Sequence, residues 1–338
     1  MTAFTYEGTE NAMRWDRKSP GFMEVWYSTI NHPDSGGGLW MRYTITAPRN
    51  GDAYCELWGF YFDPTNKQTF AGKQRFSIDL LGRERDDGAV VRIGDSWLSE
   101  RHLEGRVHDG AGRVLQWSFD FEPADRCWQH LPQRLRQRVE QRVSTVCVPN
   151  LSVPFSGVVE LDGEELFFER VRGSQAHRWG RAHPASWAWG HCDGFESHPD
   201  AIFEGVAARA RFAGMLAPTM TFTYLRYDGR DLEFNSLKHS IRAKSRYEMP
   251  AWAFSAHNEE FKIVGAARAL PERMVQVSYE NPDGSLRHCA NSEIGDIGIE
   301  LFRKEKGTWR HIDSLTCLRT AHLEFGRKEE FVEVPVAF

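Results

Sequence analysis

The chain has 338 residues, of which 41% are hydrophobic and 26% charged, with a formal net charge of −5. That composition describes a soluble globular protein of one or two domains. It excludes a membrane-spanning bundle, which needs stretches of roughly 18–20 uncharged apolar residues, and it argues against nucleic acid as the main partner, because phosphate binding needs a basic surface.

The opening residues, MTAFTYEGTENAMRWDRKSP, show no basic start followed by an apolar run. A secretory leader is therefore not expected, and a cytoplasmic setting is. The cysteines (Cys55, Cys127, Cys147, Cys192, Cys289, Cys317) are scattered without a C-x-x-C pair and read as free buried thiols. Aromatic content is high, with twelve Trp and 22 Phe. Such residues favour half-buried strands and also line apolar pockets.

The first predicted hairpin joins GFMEVWYSTINHP to GGGLWMRYTITAP around a loop centred on Pro33. Folding there sets Trp26 opposite Trp40 and Glu24 opposite Arg42 on one face. Each such pair contributes on the order of 0.2–1 kcal/mol. Either this ladder stabilises a half-buried surface, or Glu24 sits inside a barrel where Arg42 must keep it ionised. Further hairpins follow at Asp-Gly turns: SERHLEGRVHDGAGRVLQWSFDFEP, VVELDGEELFFERV and MTFTYLRYDGRDLEFNS. No G-x-G-x-x-G or G-x-x-x-x-G-K-[ST] phosphate loop interrupts them, which disfavours a nucleotide-binding fold.

Residues 131–143, LPQRLRQRVEQRV, predict one short helix, with Leu131, Leu135, Val139 and Val143 every four residues and Pro132 in its first turn. Its arginines suit either an anionic membrane surface or a solvated helix between domains. The Pro-bearing STVCVPNLSVPFSG then reads as an extended connection. The predicted boundary lies there, dividing 1–150 from 151–338, each sized for one antiparallel barrel or sandwich.

The stretch HRWGRAHPASWAWGHCDGF, 177–195, carries the densest chemistry. On a strand, Trp187, Trp189, His191, Asp193 and Phe195 share one face, while Ala188, Gly190, Cys192 and Gly194 share the other. A His and an Asp on a core face each need a partner, so the wide face reads as a pocket wall. His177, His183 and His191 match no metal-ligand spacing, and no metal is expected. Cys192 has no evident thiolate stabiliser, and G-x-S-x-G is absent.

HRWG, WAWGHCDGF, the early EVWYSTINHPDSGGGLWMRYTITAP, the late YENPDGSLRHCANSEIG and the terminal HLEFG together resemble the tocopherol cyclase-like superfamily. That group includes carotenoid hydratases (hydroxyneurosporene synthases), AttH-type proteins and lipocalin-like Diels–Alderases. The resemblance implies an all-β fold of two tandem lipocalin-like antiparallel β-barrels, with an apolar ligand inside one barrel or at their junction. It also implies enzymes without a cofactor that shape an isoprenoid or polyene and supply a proton. Where cyclase-like members tend to carry Asn, this chain has Asp193, a titratable acid at the same place.

The leading expectation is thus a cofactor-independent hydratase, cyclase or isomerase for an apolar unsaturated molecule. Asp193 or His191 would be the general acid, with Glu24 and Glu293 in reserve. Trp179, Trp187, Trp189, Phe195, Trp26 and Trp40 would pack the substrate, and His177, His183 and Arg42 would position it. The rival expectation is a non-catalytic carrier of a hydrophobic ligand; a third is a barrel pair serving only as an interaction surface.

Overall fold

The structure, a computed structural model, describes residues 4–5, 8–65, 69–82, 88–131, 136, 143–212 and 215–338. Its strands are antiparallel and form two large sheets of twelve and ten strands, each a β-barrel domain. The first runs Phe70–Ser77, Tyr54–Phe62, Gly38–Ala47, Phe22–Asn31, Glu164–Gly180, Ser144–Leu161, Val114–Phe121, His102–His108, Ser96–Ser99, Ala89–Ile93, with Cys127–Gln129 pairing on Ser144–Leu161 and Phe4–Thr5 on Cys127–Gln129 off this path. Its two ends are drawn together at the turn Ile78–Leu80, where Gly82 N donates to Arg92 O at 2.9 Å and Gly94 N to Leu80 O at 3.0 Å. The second runs Arg230–Glu233, Met220–Tyr227, Ile202–Arg209, Ser186–Cys192, Thr308–Arg327, Leu286–Glu305, Phe261–Arg268, Ala251–His257, Lys244–Glu248, with Val275–Glu280 pairing on Leu286–Glu305 off this path.

Turn chemistry and structure agree closely. Asp162–Gly163 and Asp228–Gly229 connect their strands as two-residue turns with positive φ at both positions, the geometry that Asp-Gly favours because its twist matches the strands. Around the looser loop between His108 and Val114, the Asp109 carboxylate accepts from Ala111 N and Arg113 N, both at 2.9 Å.

Two expectations are corrected. The division between the sheets falls at residues 181–185, not near 150, because both Ser144–Leu161 and Glu164–Gly180 belong to the first sheet. The prolines at 149 and 154 do not end the strand: the ladder slips its register between Cys147 and Asn150, around Pro149, where a bulge tolerates the missing amide donor, and Pro154 stays in register opposite Arg172. The first hairpin also pairs differently. Trp26 stands opposite Tyr43, Glu24 opposite Ile45, Arg42 opposite Tyr27 and Trp40 opposite Thr29. The loop spans 32–37, closed by His32 N to Gly37 O at 2.8 Å, so every partner moves by an odd number of positions. An odd shift sends Trp26 and Glu24 to one face and Trp40 and Arg42 to the other.

The helix Leu237–Arg242, capped by Ser236 whose hydroxyl accepts from His239 N, packs on Met220–Tyr227. The helix expected over 131–143, and with it the membrane contact, lies outside the described residues apart from Leu131, Arg136 and Val143. No helix among the described residues is long and apolar enough to cross a membrane.

Each barrel encloses its own apolar core, one around Trp26, Leu57 and Phe119 and the other around Phe203, Trp252 and Leu323. A third core forms where the outer faces of the two sheets meet. Trp40, Trp58, Phe60 and Phe62 of the first pack against Trp187, Trp189, Val277 and Tyr279 of the second. Part of the aromatic excess therefore sits between the barrels. Gly38 permits the approach, since a Cβ there would lie 2.6 Å from the backbone oxygen of Glu293.

Candidate active site

Strand alternation builds the wall on the second barrel in three cross-strand rows. Trp187 pairs with Ala208 and Gly326, Trp189 with Val206 and Glu324, and His191 with Glu204 and His322. All nine face the first barrel because they recur at every second position. Gly326 is required in its row: a Cβ would overlap the indole of Trp187. The small alternates, Ala188 and Cys192, face the second barrel's own core. From the first barrel come two further rows, Arg42 with Tyr27, and Val25 between Thr44 and Arg178.

Between these walls lies a cavity of about 310 Å³, bordered by Tyr27, Trp40, Trp187, Trp189, Met220 and Phe222 among its apolar lining. This is at the lower end of the range that holds small ligands. Its polar groups are Arg42, Arg178, His130, Tyr279, Ser144, Thr145 and Glu324. The Glu324 carboxylate accepts from Trp187 Nε1 at 3.2 Å, Tyr279 OH at 3.3 Å and Asn291 Nδ2 at 3.4 Å.

His130 connects the cavity to a buried carboxylate. Its Nε2 lies 2.9 Å from Glu204 Oε1, which also accepts from Trp189 Nε1 at 2.7 Å, while Glu204 Oε2 is 3.1 Å from His191 Nδ1. Burial would raise Glu204, but hydrogen bonds from His130 and His191 outweigh it and hold the group below its ordinary pKa. Glu204 is therefore an ionised acceptor, and both imidazoles donate to it. His130 Nδ1 is left without a protein partner among the described residues. An imidazole that lines a cavity, is oriented by a carboxylate and has its other nitrogen unengaged has the makings of a general acid or base.

The tocopherol cyclase-like family profile matches residues 98–327, more than half of the chain. The chain belongs to the tocopherol cyclase-like family. Two uncharacterized proteins of Mycobacterium tuberculosis, Rv0493c of strain H37Rv and MT0513 of strain CDC 1551, are each 28% identical to it over 325 residues, covering 93% of this chain and 88% of their own length. Among solved structures, a protein assigned as an AttH from Nitrosomonas europaea superposes with a TM-score of 0.50 at 13% identity, covering 94% of this chain and 98% of that one. Kievitone hydratase from Nectria haematococca does so with a TM-score of 0.50 at 9% identity, covering 97% and 94%. At these identities the two structures speak for a shared fold.

In this tocopherol cyclase-like chain the residues singled out in the sequence fall into seven places. Trp40, Arg42, Trp187 and Trp189 line the cavity. His191 lies behind them on Glu204, and His183 stacks on Tyr279 and Trp187 while its Nδ1 meets Asn281 Oδ1 at 2.8 Å. Burial, then the charges of Arg178 and Arg42, push His183 well below its ordinary pKa, keeping it neutral. Glu24, Trp26, His177 and Trp179 cluster on the inner face of the first barrel, away from the cavity.

Glu293 is buried beside His322, whose Nδ1 is 3.6 Å away, and burial followed by the charge of Glu324 pushes it well above the carboxylate range. Asp193 and Phe195 depart most from expectation. The strand ends at Cys192, so alternation stops before them. Asp193 turns back to accept from Ser152 Oγ at 2.7 Å, and Phe195 enters the second barrel's core.

Sequence reasoning missed His130, Glu204, Arg178, Tyr279 and Glu324. Three of them lay in plain sight: Arg178 inside HRWG, Tyr279 at the head of YENPDG and Glu324 inside HLEFG. His177 and Trp179 point into the barrel, so the residue between them points out. Among the described residues no group of three His, Cys, Asp or Glu side chains could hold a metal ion.

Proposed function

We propose that this chain is a hydratase- or cyclase-type enzyme that protonates an apolar, unsaturated small molecule in the cavity between its barrels. The observation that carries this reading is His130 at the cavity wall, oriented by the buried Glu204 carboxylate. Protonated at Nδ1, His130 delivers its proton to one alkene carbon, and the cation formed at the neighbouring carbon lies among the faces of Tyr27, Trp40, Trp187 and Trp189, where ring quadrupoles favour positive charge. Water captures the cation in a hydration; an internal oxygen captures it in a cyclisation; loss of a different proton gives an isomer. Glu324, fixed by three donors, is placed to orient the capturing nucleophile. No step of this route calls for a cofactor. Membership of the tocopherol cyclase-like family, and a structural neighbour named as a hydratase, support the reaction class.

The test is incubation of the purified protein in D₂O with a panel of isoprenoid alcohols, isoprenoid acids, prenylated phenols and linear polyenes, read by high-resolution mass spectrometry. The expected product carries one solvent deuterium on carbon, with or without the mass of one water, and His130→Ala abolishes it. Recovery of every bound compound unchanged and free of deuterium would overturn catalysis and leave a carrier.

A further inference from the structure

We infer that the molecule held in this cavity is a monoanion, an apolar acid whose carboxylate is gripped by the guanidinium groups of Arg42 and Arg178. The inference rests on the cavity being the ligand site and adds the chemical class of what enters it.

Two guanidinium groups on one apolar wall call for explanation. Arg42 is buried, and its one hydrogen bond to a side chain runs from Nε to Thr44 Oγ1 at 2.9 Å. Otherwise it lies among ring faces, 4.4 Å from the centroid of Tyr279, 4.9 Å from Trp58 and 5.6 Å from Trp40. Arg178 spends Nε and Nη2 on one neutral acceptor, Ser144 Oγ, at 2.9 and 2.7 Å. Neither is ion-paired with a carboxylate among the described residues.

The acids nearby are engaged elsewhere. Glu56 and Glu280, which border a small void on the far side of Arg42, are both bonded to Arg75. Glu324 is the one carboxylate in the lining, and it is held by Trp187, Tyr279 and Asn291. The cavity wall thus carries two permanent cations against one anion. Burial, and next the charge of Arg42, pull Arg178 down to about 10, the direction expected when like charges are confined together.

Removing an arginine from water without a counter-ion is costly, and structures normally supply the partner. Here the missing partner is best supplied by the ligand. The planar fork of a guanidinium matches a carboxylate in two parallel hydrogen bonds. One surplus positive charge on the wall selects a singly charged group over a phosphate or diphosphate, which would leave excess negative charge in a low-dielectric space. The unsaturated body then lies along the indoles, within reach of His130.

Binding is measured by quenching of the cavity tryptophans with geranic acid, farnesoic acid, their methyl esters and farnesyl diphosphate at pH 7.5. The acids are expected to bind at least tenfold more tightly than their esters. In Arg178→Gln that preference shrinks to about twofold or less while ester affinity stays the same, which also shows that the cavity is intact; Arg178→Lys retains part of it. Esters binding as well as acids, diphosphate binding tightest, or a preference untouched in both Arg178→Gln and Arg42→Gln would overturn the inference. This assay reads binding and not turnover, so acid-selective binding here, together with no deuterium uptake in the D₂O incubation, would sink the enzyme reading alone. Absence of binding by all five probes would overturn the cavity as the ligand site, and this inference with it.

Discussion

Two buried carboxylates in this molecule, Glu24 with one histidine and Glu204 with two, are built for different ends. In the first barrel, Glu24 Oε1 accepts from Arg14 N at 2.6 Å and lies 2.8 Å from His177 Nε2, Oε2 accepts from Trp15 N at 2.9 Å, and His177 Nδ1 meets Glu10 O at 2.6 Å. Both ring nitrogens face acceptors, so His177 must be the doubly protonated imidazolium. Burial opposes that charge, but hydrogen bonding to Cys147 and Glu24 outweighs it and raises the group to about 9. Every polar atom of this pair is engaged, and it fastens residues 10–15 to the barrel wall. The Glu204 pair leaves His130 Nδ1 without a protein partner among the described residues, in a ring that lines the cavity. A buried His–carboxylate pair can become a reactive site only where one nitrogen is spare and the ring lines a cavity.

That contrast can be broken in order of expected effect. Glu24→Gln strands a buried imidazolium and should cost about 3–5 kcal/mol of stability, read as a fall in the urea midpoint, so the sealed pair shows as structural. His130→Ala should lower the rate of deuterium incorporation on the order of 10²-fold or more. It also takes one donor from buried Glu204, so the midpoint should fall, but by less than in Glu24→Gln because Trp189 and His191 still donate. A pair of opposite outcomes, activity lost in Glu24→Gln at an unchanged midpoint and activity retained in His130→Ala, would reverse the assignment.

Gly38→Ala pushes a methyl into Glu293 and should destabilise by about 1–3 kcal/mol, reducing ligand affinity because the junction opens. The pH dependence sharpens the contrast further. The folded value of His177 lies above its unfolded value, so its contribution to stability is complete below about pH 6.5 and is lost as pH rises through about 9. Urea midpoints measured from pH 6 to 10 should fall in the wild type, and the fall should be blunted in Glu24→Gln. Smallest of all, Asp193→Asn should change turnover less than twofold, since Asp193 bonds Ser152 outside the cavity.

Local pattern was enough for much of the fold. Asp162–Gly163 and Asp228–Gly229 announce their hairpins because a two-residue turn of that hand needs positive φ twice. The alternation of WAWGH separated Trp187, Trp189 and His191 from Ala188 and Cys192, since a strand leaves each side chain only two directions. The same rule failed where a count depended on a loop. Placing the first turn at Pro33 shifted its partners by three, and an odd error exchanges inside for outside. It failed again at Asp193, because alternation holds only while the strand lasts and the strand stops at Cys192.

The sequence alone determined an all-β chain of hairpins, rich in aromatics, with its chemistry concentrated in HRWG and WAWGH. Only the tertiary structure decided where that chemistry faces. Composition cannot say that the third aromatic core lies between barrels rather than within one. Nor can it bring His130 to Glu204, 74 positions apart, or set Arg178 and Arg42 on one wall. Those meetings depend on the curl of each sheet and on the docking of two outer faces, which arise from packing over the whole chain and from no single segment of it.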